Sequence, residues 1–309
     1  MRLSLFIAKR YLISKKSHNL INVISIISVV GLSVGTMALI VVLSVFNGFE
    51  EVIKSLYTSF NADMRITAVS GKTINYSNFP TEKILSISGV KNLTQVVEED
   101  ALFKYRDKQH IAKIKGVSEG FIESSELDSM IVNGNFVLQE GNANFAVVGA
   151  GIAWYLDIYP ENISDLLSVY VPKRGNQSSF NFENAFNSSA LHPTGVFSVQ
   201  QEFDEKYVFV PLRFAKKMMD YGDEVTSVEI RLITEYDTQS IQESIEKILG
   251  NEFDVKNRYQ QNETLFKLLK SEKTAIFLIL VFILLLSSFN MIGSISILIA
   301  EKKKDIGIL

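Results

Sequence analysis

The 309-residue chain contains no cysteine, so no disulfide holds any part of it together, whichever redox compartment that part occupies. Its three histidines, His18, His110 and His192, lie in separate regions without the spacing of an HExxH or similar motif, so no metal site is indicated. Ser33 in GLSVG (31–35) has GxSxG spacing but sits inside a long charge-free apolar run, not at a strand-to-helix elbow. SGKT at 70–73 suggests a phosphate loop, but that pattern needs a glycine five positions before Gly71, where Ile66 stands. GAGIAW at 149–154 follows an apolar run as a dinucleotide fingerprint does, yet Trp154 occupies the third glycine position, and a tight strand-to-helix turn accounts for it better. The carboxylate pairs Glu98–Glu99 and Asp223–Glu224 lie in polar runs and read as solvated. The expectation is a protein that is not an enzyme and holds no cofactor.

Charge is missing from two long stretches. Leu20 to Phe46 and Thr274 to Ala300 are each 27 residues without Asp, Glu, Lys, Arg or His. As helices they would run roughly 40 Å at ~1.5 Å per residue, enough to cross a hydrocarbon core of ~30 Å with some tilt. The first is longer than the ~7–15 apolar residues of a signal peptide and no small-residue cleavage site follows; LSVFNGFEE reads as a helix continuing out of the membrane. Transmembrane helices are therefore predicted at 20–46 and 274–300. Arg2, Lys9, Arg10, Lys15 and Lys16 precede the first and Lys302, Lys303 and Lys304 follow the second, which places both ends in the cytoplasm and 47–273 outside.

The outer segment carries 32 acidic and 23 basic residues, a net charge of −9, whereas the remaining 82 residues carry 8 basic and 2 acidic. So acidic a domain argues against nucleic acid as a partner, since it lacks the positive balance that neutralises a run of phosphates. Residues 1–19 place Arg2, Lys9 and Lys16 on one helical stripe and Leu5, Ala8 and Leu12 on another, which suggests a helix lying in the lipid interface as readily as a charged topogenic flank.

Within the outer segment, strand-like alternation is interleaved with helical spacing. MRITAV, LTQVVEE, FAVVG, LLSVYV, GVFSV, YVFV, VTSVEIRLI and EFDVKN read as strands, ALFKYR and QHIAKIKGV as a hairpin across Asp107 and Lys108, and PTEKILSIS, FAKKMMDYG and TQSIQESIEKILG as helices. The fold class is thus a membrane protein whose two transmembrane α-helices flank a large two-lobed α+β extracytoplasmic domain. Lobe 1 is expected at about 47–99 and 206–257, a β-rich lobe 2 inserted at about 100–205, and a rigid helical lever at 258–273. Between them, PKRGNQSSFNFENAFNSSALHP is polar but carries Phe180, Phe182 and Phe186, and exposed phenylalanines in a loop either await a partner or tuck back onto the lobe.

The spans themselves are informative. Gly31 and Gly35 form a GxxxG step extended by Ser28 and Ala38 on the same face, which lets another helix approach closely. Ser287, Asn290 and Ser294 share a stripe of the second span, and an amide at bilayer depth calls for a partner in a helix bundle.

ISIISVVGLSVGTMALIVVLSVFNGFE (24–50) resembles the first span of the lipoprotein-releasing (LolC/LolE-like) permeases of the FtsX/MacB-type ABC transporter superfamily, and SSFNMIGSISILIAEKKKDIGIL (287–309) resembles their second span; the amino-terminal IAKRYLISKK also matches. These motifs cover about a quarter of the chain. The resemblance implies a MacB-like periplasmic core domain, the bacterial inner membrane as location, a cytoplasmic ABC ATPase and a second permease subunit as partners, and a lipoprotein cargo handed to a periplasmic carrier. It implies that Glu301, Lys302, Asp305, Ile306, Gly307 and Leu309, in a cytoplasmic element beginning at 301, couple to the ATPase, and that the loop of Lys173, Arg174, Phe180, Phe182 and Phe186 binds the carrier. Members have two further spans, so a chain truncated within the coupling element is expected. Efflux or control of cell-wall hydrolases by the same machinery is one alternative, and a two-span sensor with an extracytoplasmic ligand domain is another.

Overall fold

The structure is a computed structural model that describes residues 19–121, 127–162, 164–174, 185–233 and 236–306. The interfacial helix expected at 1–19 lies outside these residues apart from Asn19. The chain divides into two compact units, one formed by residues up to Val52 and from Thr264, the other by Ile53–Glu263.

In chain order the elements are α1 (Asn19–Phe60), β1 (Met64–Ala68), β2 (Ile74–Asn75), α2 (Thr81–Leu85), β3 (Val90–Tyr105) and β4 (Lys108–Val117). There follow β5 (Ile131–Gly134), β6 (Gln139–Glu140), β7 (Ala143–Gly149), α3 (Ala150–Leu156), β8 (Leu167–Pro172), β9 (Phe186–Phe197) and α4 (Gln201–Asp204). The chain continues through β10 (Tyr207–Pro211), α5 (Leu212–Met218), β11 (Glu224–Val225), β12 (Ser227–Leu232), α6 (Thr238–Leu249), β13 (Phe253–Asn257), α7 (Arg258–Gln261) and α8 (Glu263–Ile306).

Both charge-free stretches are helical, and both helices run beyond them: α1 has 42 residues and α8 has 44. Each contains a segment long and apolar enough to span a membrane, Ile26–Ile53 and Glu263–Ile297. The stretch expected as one lever helix, 258–273, is instead two pieces. Asn257 caps α7 in a reciprocal capping box with Gln260, and Asn262, at φ −122° and ψ 41°, leaves helical geometry before α8 begins. Asparagine competes for backbone hydrogen bonds, which favours such a break.

The outer unit is built on one sheet in the order β13-β1-β12-β3-β4-β10-β7-β9-β5. The 16-residue β3 gives the sheet its shape. Its first half pairs with β12, its second half pairs with β8 at Leu102–Lys104, and β4 runs along most of it. Because β8 also pairs with β9, β9 with β7, β7 with β10 and β10 with β4, the hydrogen bonds close into a circuit of six strands. Closure removes free edges within the circuit, while β13 and β5 end the sheet.

The expected lobe boundaries shift accordingly. Residue 100 falls in the middle of β3, which serves both halves of the sheet, and β10 with α5, assigned from sequence to lobe 1, pairs and packs with the circuit. The circuit interior is closely packed, with Phe103, Tyr105, Ile114, Val148, Val169 and Val208 fully buried. On the other part of the sheet, α6 buries Ile241, Ile245 and Leu249 over Met64, Ile66 and Ile230. Asp237 caps this helix by accepting hydrogen bonds from the Gln239 and Ser240 amides, and Gly250 ends it at φ 67°. The GAGIAW turn is where β7 passes into α3, and its glycines are there for closeness: a Cβ on Gly149 would lie 2.2 Å from the Asp204 carbonyl oxygen.

Candidate functional site

Within the membrane unit, α1 and α8 form an antiparallel pair. The less exposed positions of α1 include 28, 32, 35, 39, 42, 46 and 50, and those of α8 include 273, 276, 280, 284, 287, 291 and 294. Successive steps are of three or four residues in both, the spacing of one helix face. Three contacts set the register. Ser28 Oγ meets Ser294 Oγ at 3.1 Å, Gly35 faces Leu284, and Lys273 Nζ pairs with Glu50 at 3.0 Å.

Gly35 is the close-approach residue, since a Cβ there would stand 3.2 Å from Leu284 Cδ2, whereas a Cβ on Gly31 would meet nothing within 4 Å. Ala38 is half-buried beside the seam. Gly31 instead borders a groove of about 330 Å³ together with Ser28, Ser287, Asn290 and Ser294. The structure thus brings the two polar stripes read from the sequence to one place. Ser294 also donates to the Asn290 carbonyl at 2.9 Å, while the Asn290 side chain is exposed.

The candidate carrier loop grows from the β8–β9 hairpin, where Pro172 lies opposite Phe186 and the Lys173 amide donates to the Ala185 carbonyl at 2.9 Å. Phe186 is half-buried; Phe180 and Phe182 lie outside the described residues. Arg174, expected in the carrier-binding loop, is engaged within the domain. It donates to Glu224 at 2.7 Å and stacks 5.4 Å from the Tyr221 ring centre, and the Glu224 hydrogen bond raises its pKa further. Burial, then the Glu99 carboxylate that its hydroxyl approaches at 3.3 Å, pushes the Tyr221 phenol up. Asn187 anchors the other strand, donating to the Met218 carbonyl and to Asp220. The hairpin root is therefore held by α5 and the residues after it.

Glu301, Lys302, Asp305 and Ile306 continue α8, and Gly307 and Leu309 lie outside the described residues.

Of the carboxylate pairs read as solvated, Glu98 and Glu224 are engaged within the domain, while Asp223 is exposed. Glu98 accepts from Arg65 at 3.1 Å and from the Tyr207 hydroxyl at 3.4 Å, and Glu224 accepts from Thr73 as well as Arg174. On the same sheet face, across β3, Lys115 donates to Glu229 at 2.8 Å with both side chains buried. Burial pushes the Glu229 carboxyl up, but Lys115 and Arg65 together outweigh it and hold the group below its ordinary range. The Lys115 ammonium also stands 5.5 Å above the Phe121 ring centre. Sequence reasoning passed over this pair, because Glu229 alternates with Val228 and Ile230 as a polar-face residue of a half-solvated strand would.

The profile of the MacB-like periplasmic core domain matches residues 25–248. The lipoprotein-releasing system transmembrane protein LolC of Buchnera aphidicola subsp. Schizaphis graminum is 26% identical over 310 residues, covering 98% of this chain and 73% of that protein. The corresponding LolE of Haemophilus influenzae is 22% identical over 318 residues, covering 100% and 74%. Among solved structures, the periplasmic region of MacB from Actinobacillus actinomycetemcomitans aligns over 68% of this chain and 94% of its own, with a TM-score of 0.45 at 13% identity.

Proposed function

The chain belongs to the MacB-like periplasmic core domain family, and from that premise we propose that it is a permease subunit of an ABC transporter that releases lipoproteins from the bacterial inner membrane. The observation that carries this reading is the extent of the likeness to LolC and LolE, which takes in both apolar helices as well as the domain between them.

In this reading the ATP chemistry belongs to a cytoplasmic ATPase dimer and the permease transmits force. Closure of the ATPase displaces the segment from Glu301 to Leu309, α8 carries the displacement outward, and the outer domain changes arrangement. A lipid-anchored protein then leaves the membrane for a soluble carrier held at the β8–β9 hairpin. Transmission requires two arrangements that ATP binding biases differently. A second permease subunit and further helices supply partners for the groove bordered by Ser28, Ser287 and Asn290.

Proteoliposomes holding the complete permease pair and its ATPase, loaded with a labelled lipoprotein, test the reading. Lipoprotein should pass to soluble carrier only with hydrolysable ATP. Hydrolysis that moves a soluble compound while all lipoprotein stays in the vesicles would instead establish an efflux pump.

A further inference from the structure

The outer domain has a concave site that none of this uses. Beside the β3–β4 turn lies an open cleft of about 880 Å³, within the ~300–1,000 Å³ of small-ligand sites. Its floor is apolar and buried, formed by Ala153, Ile158 and Val196. Its walls are aromatic and unusually bare: Trp154 is 84% exposed, Tyr155 50% and Tyr159 54%. Large rings left in water on a monomer surface mark a binding site more often than an accident of composition. Its rim is polar, with the carboxylate of Asp107 and the amides of Gln109 and Asn133.

The frame is built rather than loose. Arg106, next to the turn, grips Asp165 through Nε and Nη2 at 2.8 and 2.6 Å and approaches Asp157 at 3.8 Å, tying the hairpin tip to the residues that follow α3. Asn162 donates to the same Asp165 at 3.1 Å, and the His110 ring lies 5.0 Å from the Tyr155 ring centre.

The lining selects among ligands. Among the described residues Lys108 is the lone lining cation, set against Asp107 and Asp157, which disfavours phosphates and other anions. An acyl chain calls for enclosing apolar walls, and here the rim is hydrogen-bonding. A pyranose ring offers what the cleft lacks: one flat C–H face to stack on an aromatic ring, and equatorial hydroxyls and amides at its edge to pair with carboxylate and carboxamide groups. We propose that this cleft binds a β-1,4-linked, N-acetylated glycan, and that its source is the peptidoglycan strand facing an extracytoplasmic domain. Such a contact would tether the domain to the wall; it is independent of lipoprotein release and its failure leaves that reading untouched.

Trp154 is the sole tryptophan, so its emission reports this cleft alone. The full chain, in a zwitterionic detergent without a sugar head group, is titrated with the hexamer of N-acetylglucosamine. A saturable change in Trp154 emission is expected, with Tyr159→Ala weakening the apparent Kd at least about tenfold and maltohexaose binding at least about tenfold more weakly. Calorimetry and co-sedimentation with purified sacculi supply a second readout, in which Trp154→Ala should abolish binding while Tm is unchanged, because the side chain is exposed. No response at ~10 mM hexamer, where a site with a Kd of ~1 mM would be about nine-tenths filled, overturns the proposal. So does undiminished binding by Trp154→Ala, or a concentration-dependent dimer that Trp154→Ala dissolves in the absence of any glycan response.

Discussion

Ser28 and Ser294 stand 266 positions apart in the chain, yet their hydroxyl oxygens meet at 3.1 Å, buried between two otherwise apolar helices. Hydrocarbon does not drive apolar helices together, so register in such a pair is set by close packing and by the few polar contacts available. The serine pair, Gly35 against Leu284 and Lys273 with Glu50 mark three levels of one seam, two inside it and one ionic.

A double-mutant cycle on Ser28→Ala and Ser294→Ala should return a small coupling energy, ~0.6 kcal/mol and at most ~1.7 kcal/mol. The Ser294 hydroxyl keeps its bond to the Asn290 carbonyl when Ser28 is lost, so Ser28→Ala should leave it paired and cost little. Reversible unfolding in bicelles, read by steric trapping, measures it. Coupling near ~3 kcal/mol, well above the usual range, would show that the contact is more than a register mark.

The two glycines should differ sharply. Gly35→Leu drives a branched side chain into Leu284 and is expected to separate the helices, with a loss of ~1–3 kcal/mol, while Gly31→Leu enters open space and should leave the pair intact. The chain has no cysteine of its own, so disulfide trapping in a Ser28→Cys, Ser294→Cys double variant reads the separation directly. Equal effects of both glycine substitutions would contradict the geometry.

These contrasts show how much was legible. Two charge-free runs of 27 residues give the spans, because a bilayer demands length and apolarity that sequence displays openly. Strands such as MRITA and VEIRL also announce themselves by alternation, with Met64 and Ile66 buried on one face and Arg65 on the other. Beyond the β3–β4 hairpin, which strand pairs with which was not readable. The circuit closes through parallel pairs, β4 with β10 and β7 with β9, whose partners lie far apart in sequence. The same distance hid the Lys115–Glu229 pair, since Lys113 and Lys115 alternate with Ala112 and Ile114 as any half-solvated strand would. Gly31 and Gly35 are equivalent in a GxxxG pattern, and only the helix partner tells them apart.

The buried ion pair carries a pH dependence. Removing one partner by Lys115→Ala leaves a buried carboxylate unpaired and should cost ~3–5 kcal/mol, whereas Lys115→Met with Glu229→Leu together should be near neutral. Because the folded protein holds the Glu229 carboxyl below its ordinary value of 4.5, its stabilising contribution is present above that value and is lost as pH falls through the lower folded one. Thermal unfolding of the full chain should therefore drop less steeply on acidification below pH ~4.5 in the Lys115→Met, Glu229→Leu double variant than in the wild type. Parallel curves would remove Glu229 as a source of acid sensitivity.

Orientation is tested in the same cysteine-free background. A membrane-impermeant maleimide applied to spheroplasts should label Ser178→Cys and spare Ser17→Cys, as the lysines and arginines before residue 20 require. The reverse pattern inverts the topology and with it the side on which an ATPase could act.

The carrier hairpin gives the last prediction, and the structure sharpens its form. Arg174 is held by Glu224 and Tyr221, so its charge positions the hairpin root instead of greeting a partner. If a carrier docks at this hairpin, its contacts should fall to the phenylalanines beyond Arg174, and burying each would contribute ~1.5–3 kcal/mol. Phe180→Ala with Phe182→Ala should weaken carrier binding by at least about a hundredfold, in surface plasmon resonance, with Tm unchanged. Arg174→Ala should act differently: it removes an exposed ion pair worth at most ~1 kcal/mol and loosens the root, so carrier binding weakens severalfold and the same loss follows from Glu224→Gln. If Arg174→Ala abolishes binding while Glu224→Gln leaves it unchanged, the arginine itself touches the carrier and the positioning role is wrong. If the double phenylalanine variant unfolds at a markedly lower temperature, those rings belong to the core and the carrier must dock elsewhere.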